Sequence, residues 1–253
     1  RVEAGRNSIV YANAVLMLLV IAVYCRPAGR KPQVFIALAA ALAMGLVAII
    51  LSGTRGTLPG FGLLLLVAVL GGVDGNKRWR WAGCLSVAMA CLLVLMWKIP
   101  WLASQTRLDG IQVDLQHYAQ GNVDSPIGAR LQFLELAWHA FVEHPWAGVG
   151  LNRFAMEIQS LPQCVQNLGF CQLGHAHNDL AQWAATLGIP GLLVIVAIYL
   201  VPLLQFLKLV RRDTRKSASG AAWAGLMLVL VFLLSGMTQS MFSHALSTMT
   251  YVV

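Results

Sequence analysis

Apolar runs close to 20 residues long alternate with short polar segments along most of this chain, and this pattern limits its fold more than any other feature. Six runs are complete and a seventh begins near residue 241; the six cover residues 8–24, 34–52, 58–72, 81–97, 188–207 and 221–234. About 20 residues of α-helix cross the roughly 30 Å hydrocarbon layer of a membrane. The pattern predicts an all-α polytopic membrane protein with about six to seven transmembrane helices in this chain.

Composition supports lipid as the solvent. Hydrophobic residues make up 58% of the chain and charged residues 11%, and the mean hydropathy is +0.70. A soluble domain is usually about a quarter charged. The net charge of +8 does not indicate a nucleic-acid partner, because the basic residues form short clusters between apolar runs and no basic face with interleaved aromatic residues is present.

The basic clusters predict the orientation of the spans. Three loops carry them: Arg26, Arg30 and Lys31; Lys77, Arg78 and Arg80; Arg211, Arg212, Arg215 and Lys216. These loops fall on one side if each span crosses once, and the positive-inside rule assigns that side to the cytoplasm. Arg1 and Arg6 count slightly against this orientation. The predicted location is the bacterial inner membrane, with the long polar region facing the periplasm.

The chain accordingly divides into three predicted regions. Residues 1–97 hold transmembrane helices one to four, residues 98–187 form a periplasmic catalytic loop region, and residues 188–253 hold helices five to seven, the last one truncated. Because the chain starts at Arg1 rather than Met and ends at Val253 inside an apolar stretch, we expect it to be a piece of a longer protein.

The long polar region is predicted to contain amphipathic helices. Residues 131–142 place apolar side chains at helical spacing. Ser125 and Pro126 resemble a helix start, since proline is tolerated in the first turn, and Pro145 marks the end. A second short helix is predicted over residues 151–159.

Two arginines on the predicted periplasmic side are candidate anion binders. Arg55 lies in a glycine-flanked turn between two spans, where the backbone can approach a ligand closely. Arg130 lies near a helix N-terminus, where the helix dipole favours an anion. A guanidinium fork matches phosphate oxygens bidentately. The bland alternative for each is an arginine that reaches lipid phosphates and does nothing else.

His175 and His177 are the candidate titrating groups. A general base that takes a proton from a sugar hydroxyl is one interpretation, with Asn178 or Asp179 orienting the ring. A histidine that caps a helix is a second. A metal-binding pair completed by Asp179 is a third and less favoured one, because no further strong ligand is apparent. Four other histidines have no comparable setting and are predicted to be interfacial or packed: His117, His139, His144 and His244.

Cysteine spacing and known motifs add little. Cys164 and Cys171 lie in the polar region, and the sequence allows either a disulfide between them or two free thiols. The sequence has no P-loop, no Gly-x-Ser-x-Gly, no His-Glu-x-x-His and no dinucleotide fingerprint. It also lacks the Asp-x-Asp that carries a metal-bound nucleotide sugar. We therefore expect no metal and no cofactor.

Four segments resemble the O-antigen ligase and polymerase superfamily. They are LSGTRG at 51–56, the stretch SPIGARLQFLELAWHAFVEHPWAGVGLNRF at 125–154, HAHNDLAQWAATLGIPG at 175–191 and SGMTQSMFSHALSTMTY at 235–251. The third is the most specific: His177 and Asn178 are followed, ten residues after the asparagine, by Gly188 and Gly191. The resemblance covers most of the chain.

The resemblance implies a mechanism. The donor is a glycan on undecaprenyl diphosphate, the acceptor is the lipid A-core oligosaccharide, and metal-independent transfer inverts the anomeric centre. Its two essential arginines match Arg55 and Arg130, which would hold the diphosphate, and its essential histidine matches His177 as the base. His175 is the second choice for that role, and His175 and Asn178 are expected in substrate binding.

Other activities remain alternatives. Within the superfamily these are an O-antigen polymerase and a protein O-oligosaccharyltransferase. A glycolipid transporter is less favoured, because a transporter is expected to bury ionisable residues midway along its spans and the six complete spans are almost free of charge. A membrane scaffold without chemistry leaves the basic periplasmic residues unexplained.

Overall fold

A computed structural model describes residues 8–25, 32–72, 77–99, 110–162, 164, 171, 174–212 and 219–252. All secondary structure in these ranges is helical. The α-helices are α1 Ser8–Tyr24, α2 Pro32–Ser52, α3 Leu58–Gly72, α4 Lys77–Lys98, α5 Gly110–Ala119, α6 Pro126–Glu143, α7 Arg153–Gln159, α8 Asp179–Arg212, α9 Ser219–Gly236 and α10 Ala245–Val252. Single 3₁₀ turns cover Arg55–Thr57 and Met241–Ser243. The predicted all-α class is confirmed.

The predicted number of spans is not confirmed. Among the described residues, α2 and α8 are long and apolar enough to cross a membrane. Three further apolar helices are shorter, and α1, with 17 residues, is one of them. At 1.5 Å per residue α1 extends about 26 Å, just under the roughly 30 Å of a hydrocarbon layer. Several residues used to predict the orientation lie outside the described ranges: Arg1, Arg6, Arg26, Arg30, Lys31, Arg215 and Lys216.

The described chain forms two compact units. The first contains Arg1–Leu108, Pro202–Ser235 and Met249–Val253, and the second contains Asp109–Val201 and Gly236–Thr248. Helices α8, α9 and α10 each contribute residues to both units. The three regions predicted from the sequence follow chain order, so these units neither support nor oppose their boundaries.

The first unit is built around α1. Ala12, Leu16 and Val20, four residues apart and therefore on one face of the helix, are completely buried. Residues of α2, α3 and α9 pack against this face. At Gly45 in α2, an added Cβ would lie 2.5 Å from the Leu19 side chain. This glycine therefore lets α2 approach α1 closely.

The second unit is built around α6. Its buried face consists of Ala129, Phe133, Ala137 and Ala140, which pack against residues of α7, the segment before α8, and α8 itself. The predicted helix start is correct: Ser125 is the N-cap, its hydroxyl accepts a hydrogen bond from Gly128 N at 3.0 Å, and Pro126 is the first helical residue. The helix is longer than the predicted residues 131–142.

The loop that follows α6 is hydrogen-bonded to α8 at a sharp kink in that helix. The sequence predicts a span starting at residue 188, but α8 begins at Asp179 and Gly188 lies inside it with φ 65° and ψ −151°. The kink frees the carbonyls of residues 185 and 186, which accept hydrogen bonds from Val149 N at 2.8 Å and Gly150 N at 3.0 Å. Ile189 N donates in return to Pro145 O at 2.7 Å. The apolar run thus begins at the kink, whereas the helix begins earlier, at Asp179.

Candidate active site

Arg55 lies in a turn of the first unit that short-range hydrogen bonds hold. The Ser52 and Thr54 hydroxyls are 2.6 Å apart, and the Thr54 and Thr57 hydroxyls are 2.9 Å apart. Ser52 also donates to the carbonyl of residue 49 at 2.6 Å. Thr54 and Thr57 are buried and Arg55 is half-buried. The turn therefore has a fixed backbone beneath the guanidinium.

His177 lies in the second unit, immediately before α8, in an unusual backbone conformation. Its φ is 54°, in the left-handed region that few residues other than glycine adopt. Such strain persists only where surrounding contacts enforce it, and it is common at functional sites. The ring of His177 is half-buried and lies parallel to that of the fully buried Phe133, with centroids 6.2 Å apart and planes 5° apart.

Three histidine rings form a cluster around this position. His175 and His177 have ring centroids 4.3 Å apart, and His175 and His244 have centroids 5.4 Å apart, both in edge-to-face geometry. The Nδ1 atom of His175 is buried and has no hydrogen-bond partner among the described residues. His244, predicted to be interfacial or packed, packs against His175, and nothing in the sequence indicated that it lies in this cluster.

Gln239 joins two of these rings, and the sequence analysis missed it. Its Oε1 lies 2.7 Å from His177 Nδ1, and its Nε2 lies 2.7 Å from His244 Nε2. The side chain is almost completely buried. Gln239 is 62 residues from His177 in the sequence, and no local motif connects the two.

Asn178 and Asp179 do not orient the His177 ring, contrary to the prediction. The Asn178 amide donates to Met237 O at 3.2 Å and accepts from Ala181 N at 3.0 Å, so it caps α8. The Asp179 carboxylate accepts from Tyr199 at 2.7 Å and from Phe242 N at 3.3 Å. Both residues instead fix the segment 237–242, which contains Gln239.

Arg130 acts electrostatically on the histidine cluster from α6. It lies one turn before Phe133 on that helix, so the two side chains share a helix face. Its positive charge lowers the pKa values of both His175 and His177. The structure thus brings together Arg130, His175 and His177 in the second unit, while Arg55 belongs to the first.

The histidines of the cluster are neutral at pH 7. Burial lowers the pKa of His175 to about 3, and the charges that His177 and His244 carry when protonated, together with the charge of Arg130, lower it further. Burial lowers the pKa of His177 to about 4; its hydrogen bond with Gln239 opposes this shift, and Arg130 and His244 reinforce it. Burial also lowers the pKa of His244. A neutral imidazole is the form that accepts a proton.

The metal-binding interpretation gains no support from the geometry. Within the described part of the chain, no group of three or more His, Cys, Asp or Glu side chains is arranged to hold a metal ion. Asp179, the proposed third ligand, is 1% exposed and accepts hydrogen bonds from Tyr199 and Phe242.

Cys164 and Cys171 form a disulfide in the second unit. Their Cα atoms are 5.6 Å apart, within the usual range for a disulfide. Cys164 follows α7, whose residues Phe154 and Ile158 belong to the buried core of this unit. The bond therefore links the end of the segment that follows α7 to Cys171, six residues before His177.

Comparison with known protein families identifies the family of this chain. No curated protein matches the chain in sequence. The sequence model of one family, described as O-antigen ligase, matches residues 39–196, more than half of the chain. The match includes Arg55, Arg130 and the two histidines before α8, and ends before Gln239 and His244. The arginine and the half-buried histidines whose pKa values it lowers thus lie within the matched region. The chain belongs to the O-antigen ligase family, a family of membrane glycosyltransferase-type enzymes.

Proposed function

We propose that this protein is a ligase that transfers O-antigen glycan from undecaprenyl diphosphate to the lipid A-core oligosaccharide. The reaction takes place on the periplasmic face of the bacterial inner membrane. One observation carries the proposal: in a member of this family, the neutral ring of His177 lies within the electrostatic reach of Arg130. A base for a sugar hydroxyl and a cation for a phosphate are the two groups that such a transfer requires.

The proposed step is a direct displacement. An acceptor hydroxyl attacks the anomeric carbon of the donor sugar, and its proton passes to the imidazole of His177. The new glycosidic C–O bond forms as the bond between the anomeric carbon and the phosphate oxygen breaks, which inverts the anomeric centre. The diphosphate leaves with an additional negative charge, and no metal or cofactor takes part.

Arg130 and Arg55 would stabilise the leaving diphosphate. Donors that are fixed before the reaction and aimed at developing charge lower the barrier substantially, and loss of one commonly costs about 100-fold or more in rate. Arg130 is supported by its effect on the histidine cluster. Arg55 is supported by the resemblance of its motif and by its rigid turn.

Donor binding would also tune the base. In the free protein the pKa of His177 is about 4, partly because of the charge on Arg130. A bound diphosphate brings negative charge next to that arginine, and nearby negative charge raises the pKa of an imidazole. His177 would then be a stronger base when the donor is present than when it is absent.

His175 and Asn178 would have secondary parts. His175 would help to form the acceptor site, since its ring centroid lies 4.3 Å from that of His177. Asn178 would contribute by holding the backbone next to His177, since both ends of its amide bind main-chain groups. The region 98–187 would lie on the periplasmic side, with membrane lipids around the apolar helices.

Lipopolysaccharide analysis in cells tests the proposal. The wild-type protein and the variants Arg55→Ala, Arg130→Ala and His177→Ala are expressed in a bacterial strain that lacks its own ligase but makes the matching donor and core. We expect an O-antigen ladder with wild type and none with the three variants, although all insert into the membrane. His139→Ala, an exposed histidine of α6, is the matched control and should keep the ladder.

Other outcomes would redirect the assignment. Longer glycans on the lipid carrier without a ladder would indicate a polymerase, and glycan on a membrane or secreted protein would indicate a protein O-oligosaccharyltransferase. A ladder from His177→Ala equal to that of wild type would remove His177 from the reaction.

A further inference from the structure

The two hydrogen bonds of the Gln239 amide restrict which nitrogen of each neighbouring histidine carries a proton. The proposed function does not by itself require this restriction. Its amide lies between two histidine rings, with Oε1 at 2.7 Å from His177 Nδ1 and Nε2 at 2.7 Å from His244 Nε2. An amide oxygen only accepts hydrogen bonds, and an amide NH₂ group only donates them. With the amide in this orientation, His177 donates through Nδ1–H and His244 accepts at Nε2.

This polarity sets the tautomer of His177. A neutral imidazole carries one proton, so a proton on Nδ1 leaves the lone pair on Nε2. When Nε2 accepts a proton, Nδ1–H still donates to Gln239 and the hydrogen bond remains. Gln239 is thus compatible with both protonation states of His177. A protonated His244 is excluded from the same arrangement, because its Nε2–H would face the amide NH₂ group.

The contacts around Gln239 hold its amide in place. Asn178 binds the carbonyl of Met237 on one side of it, and Asp179 binds the N–H of Phe242 on the other. Gln239 is 1% exposed and the next residue, Ser240, is fully buried. A buried amide in a fixed backbone segment has little freedom to move, so both of its hydrogen bonds to histidine rings are held in place.

We propose that Gln239 is a positioning residue of the glycosyl transfer: it holds His177 in the Nδ1–H tautomer, with Nε2 free for the acceptor proton, and its amide donates to His244. The proposal rests on the proposed function, in which His177 is the base. It extends the site beyond the part of the chain that the family match covers.

A tautomer measurement tests this without any enzymatic activity. The full protein is labelled with ¹⁵N-histidine in lipid bilayers, and the His177 signals are assigned among the six histidines by comparison with His177→Ala. We expect neutral His177 with a protonated Nδ1 and a bare Nε2, and a mixture of tautomers in Gln239→Leu. Wild-type His177 protonated at Nε2 would overturn the proposal.

Kinetics distinguish positioning from mere structural support. Gln239→Leu should lower kcat roughly 10- to 100-fold with little change in KM, as observed for groups that orient functional histidines at metal sites. Gln239→Glu keeps an acceptor for Nδ1–H and should retain much more activity. Its carboxylate raises the pKa of His177, so the acidic limb of its pH profile should move to higher pH. Gln120→Leu, an exposed glutamine of the same unit, is the control.

The two hypotheses fail in different ways. Equal losses in the Leu and Glu variants with an unmoved pH profile would assign Gln239 a structural role only and overturn the positioning proposal. A wild-type protein without transfer activity would overturn the proposed function, while the tautomer measurement would still decide whether Gln239 sets the state of His177.

Discussion

The turn that carries Arg55 and the segment that carries His177 are held in opposite ways. In the first, Gly53 adopts the left-handed conformation, with φ 70°, and the side-chain hydrogen bonds join residues no more than three positions apart. In the second, the proposed base His177 is itself left-handed. His177, Asn178 and Asp179 are bound to partners 59 to 63 residues further along the chain.

This difference fits the roles proposed for the arginine and the histidine. A phosphate-binding arginine needs its charge and fork near the ligand, and a rigid local turn is enough to present them. A general base also needs a defined tautomer and a free nitrogen on the correct side. Only contacts from elsewhere in the fold supply these. We therefore expect His177 to be sensitive to distant substitutions that leave the Arg55 turn unaffected.

Removal of the Arg130 charge should have the largest effect. Arg130→Ala is expected to lower the transfer rate about 100-fold or more. It should also raise the pKa values of His175 and His177, because the arginine charge lowers both. Rate assays and ¹⁵N titration measure the two effects. Arg130→Lys, which keeps the charge without the fork, should restore the low pKa values but only part of the rate; unchanged pKa values in Arg130→Ala would separate Arg130 from the site.

A substitution in the kink of α8 should disturb the long-range contacts that support His177 and leave the Arg55 turn unchanged. Gly188 has φ 65°, and an added Cβ would collide with the Pro145 carbonyl oxygen. Gly188→Ala should destabilise the second unit by about 2 kcal/mol or more and lower the transfer rate. Thermal unfolding in detergent measures the stability. Gly110→Ala is the control, since an added Cβ there has no neighbour within 4 Å; equal stability of the two variants would contradict the supporting role of the kink.

Acid should weaken the second unit through its histidines. The folded pKa values of His177 and His175 are lowered to about 4 and about 3, whereas an unfolded histidine has a pKa near 6.5. Between these values the two histidines bind more protons in the unfolded state, so their contribution to stability is complete above about pH 6.5 and is lost as the pH falls toward 4. We expect a loss of roughly 1 to 2 kcal/mol between pH 7 and pH 5, with solvent reaching the half-buried rings taken into account.

Unfolding measured across this pH range tests the assignment. A double variant, His175→Asn with His177→Asn, should show a much flatter dependence of stability on pH than wild type. The same slope in both proteins would assign the acid sensitivity to other groups.

Loss of one hydroxyl in the Arg55 turn should have the smallest effect. Thr54→Val removes the link between Ser52 and Thr57, which is worth about 1 kcal/mol. Ser52 still donates to the carbonyl of residue 49, so the turn should persist. We expect a few-fold higher KM for the donor and an unchanged kcat in steady-state assays. A kcat loss as large as that of Gln239→Leu would remove the contrast between the two regions.

The sequence predicts locally encoded features well. Ser125 and Pro126 indicate the start of α6, and the apolar runs at 8–24 and 58–72 coincide with α1 and α3. The sequence predicts a span from residue 188, where the apolar run begins. In the structure Asn178 caps a helix that starts earlier, and Gly188 forms a kink that is stabilised by a separate loop.

The partners of His177 could not be predicted in the same way. Gln239 and His244 lie in the segment 235–251, whose resemblance to the family gives neither residue a role. They reach the site because Asn178 and Asp179 bind the backbone around them. The sequence identified the neighbours of His177 along the chain and assigned them the orienting role. Tertiary structure gives that role to a residue 62 positions away.

Separate measurements of donor binding and glycan transfer test whether His177 is the base of the reaction. Purified full-length wild type and His177→Ala in lipid nanodiscs are given undecaprenyl-diphosphate-linked glycan and lipid A-core, with a metal chelator present. We expect His177→Ala to bind the donor within a few-fold of wild type but to transfer glycan at least about 100-fold more slowly. Transfer by His177→Ala at the wild-type rate would contradict the assignment of His177 as the base.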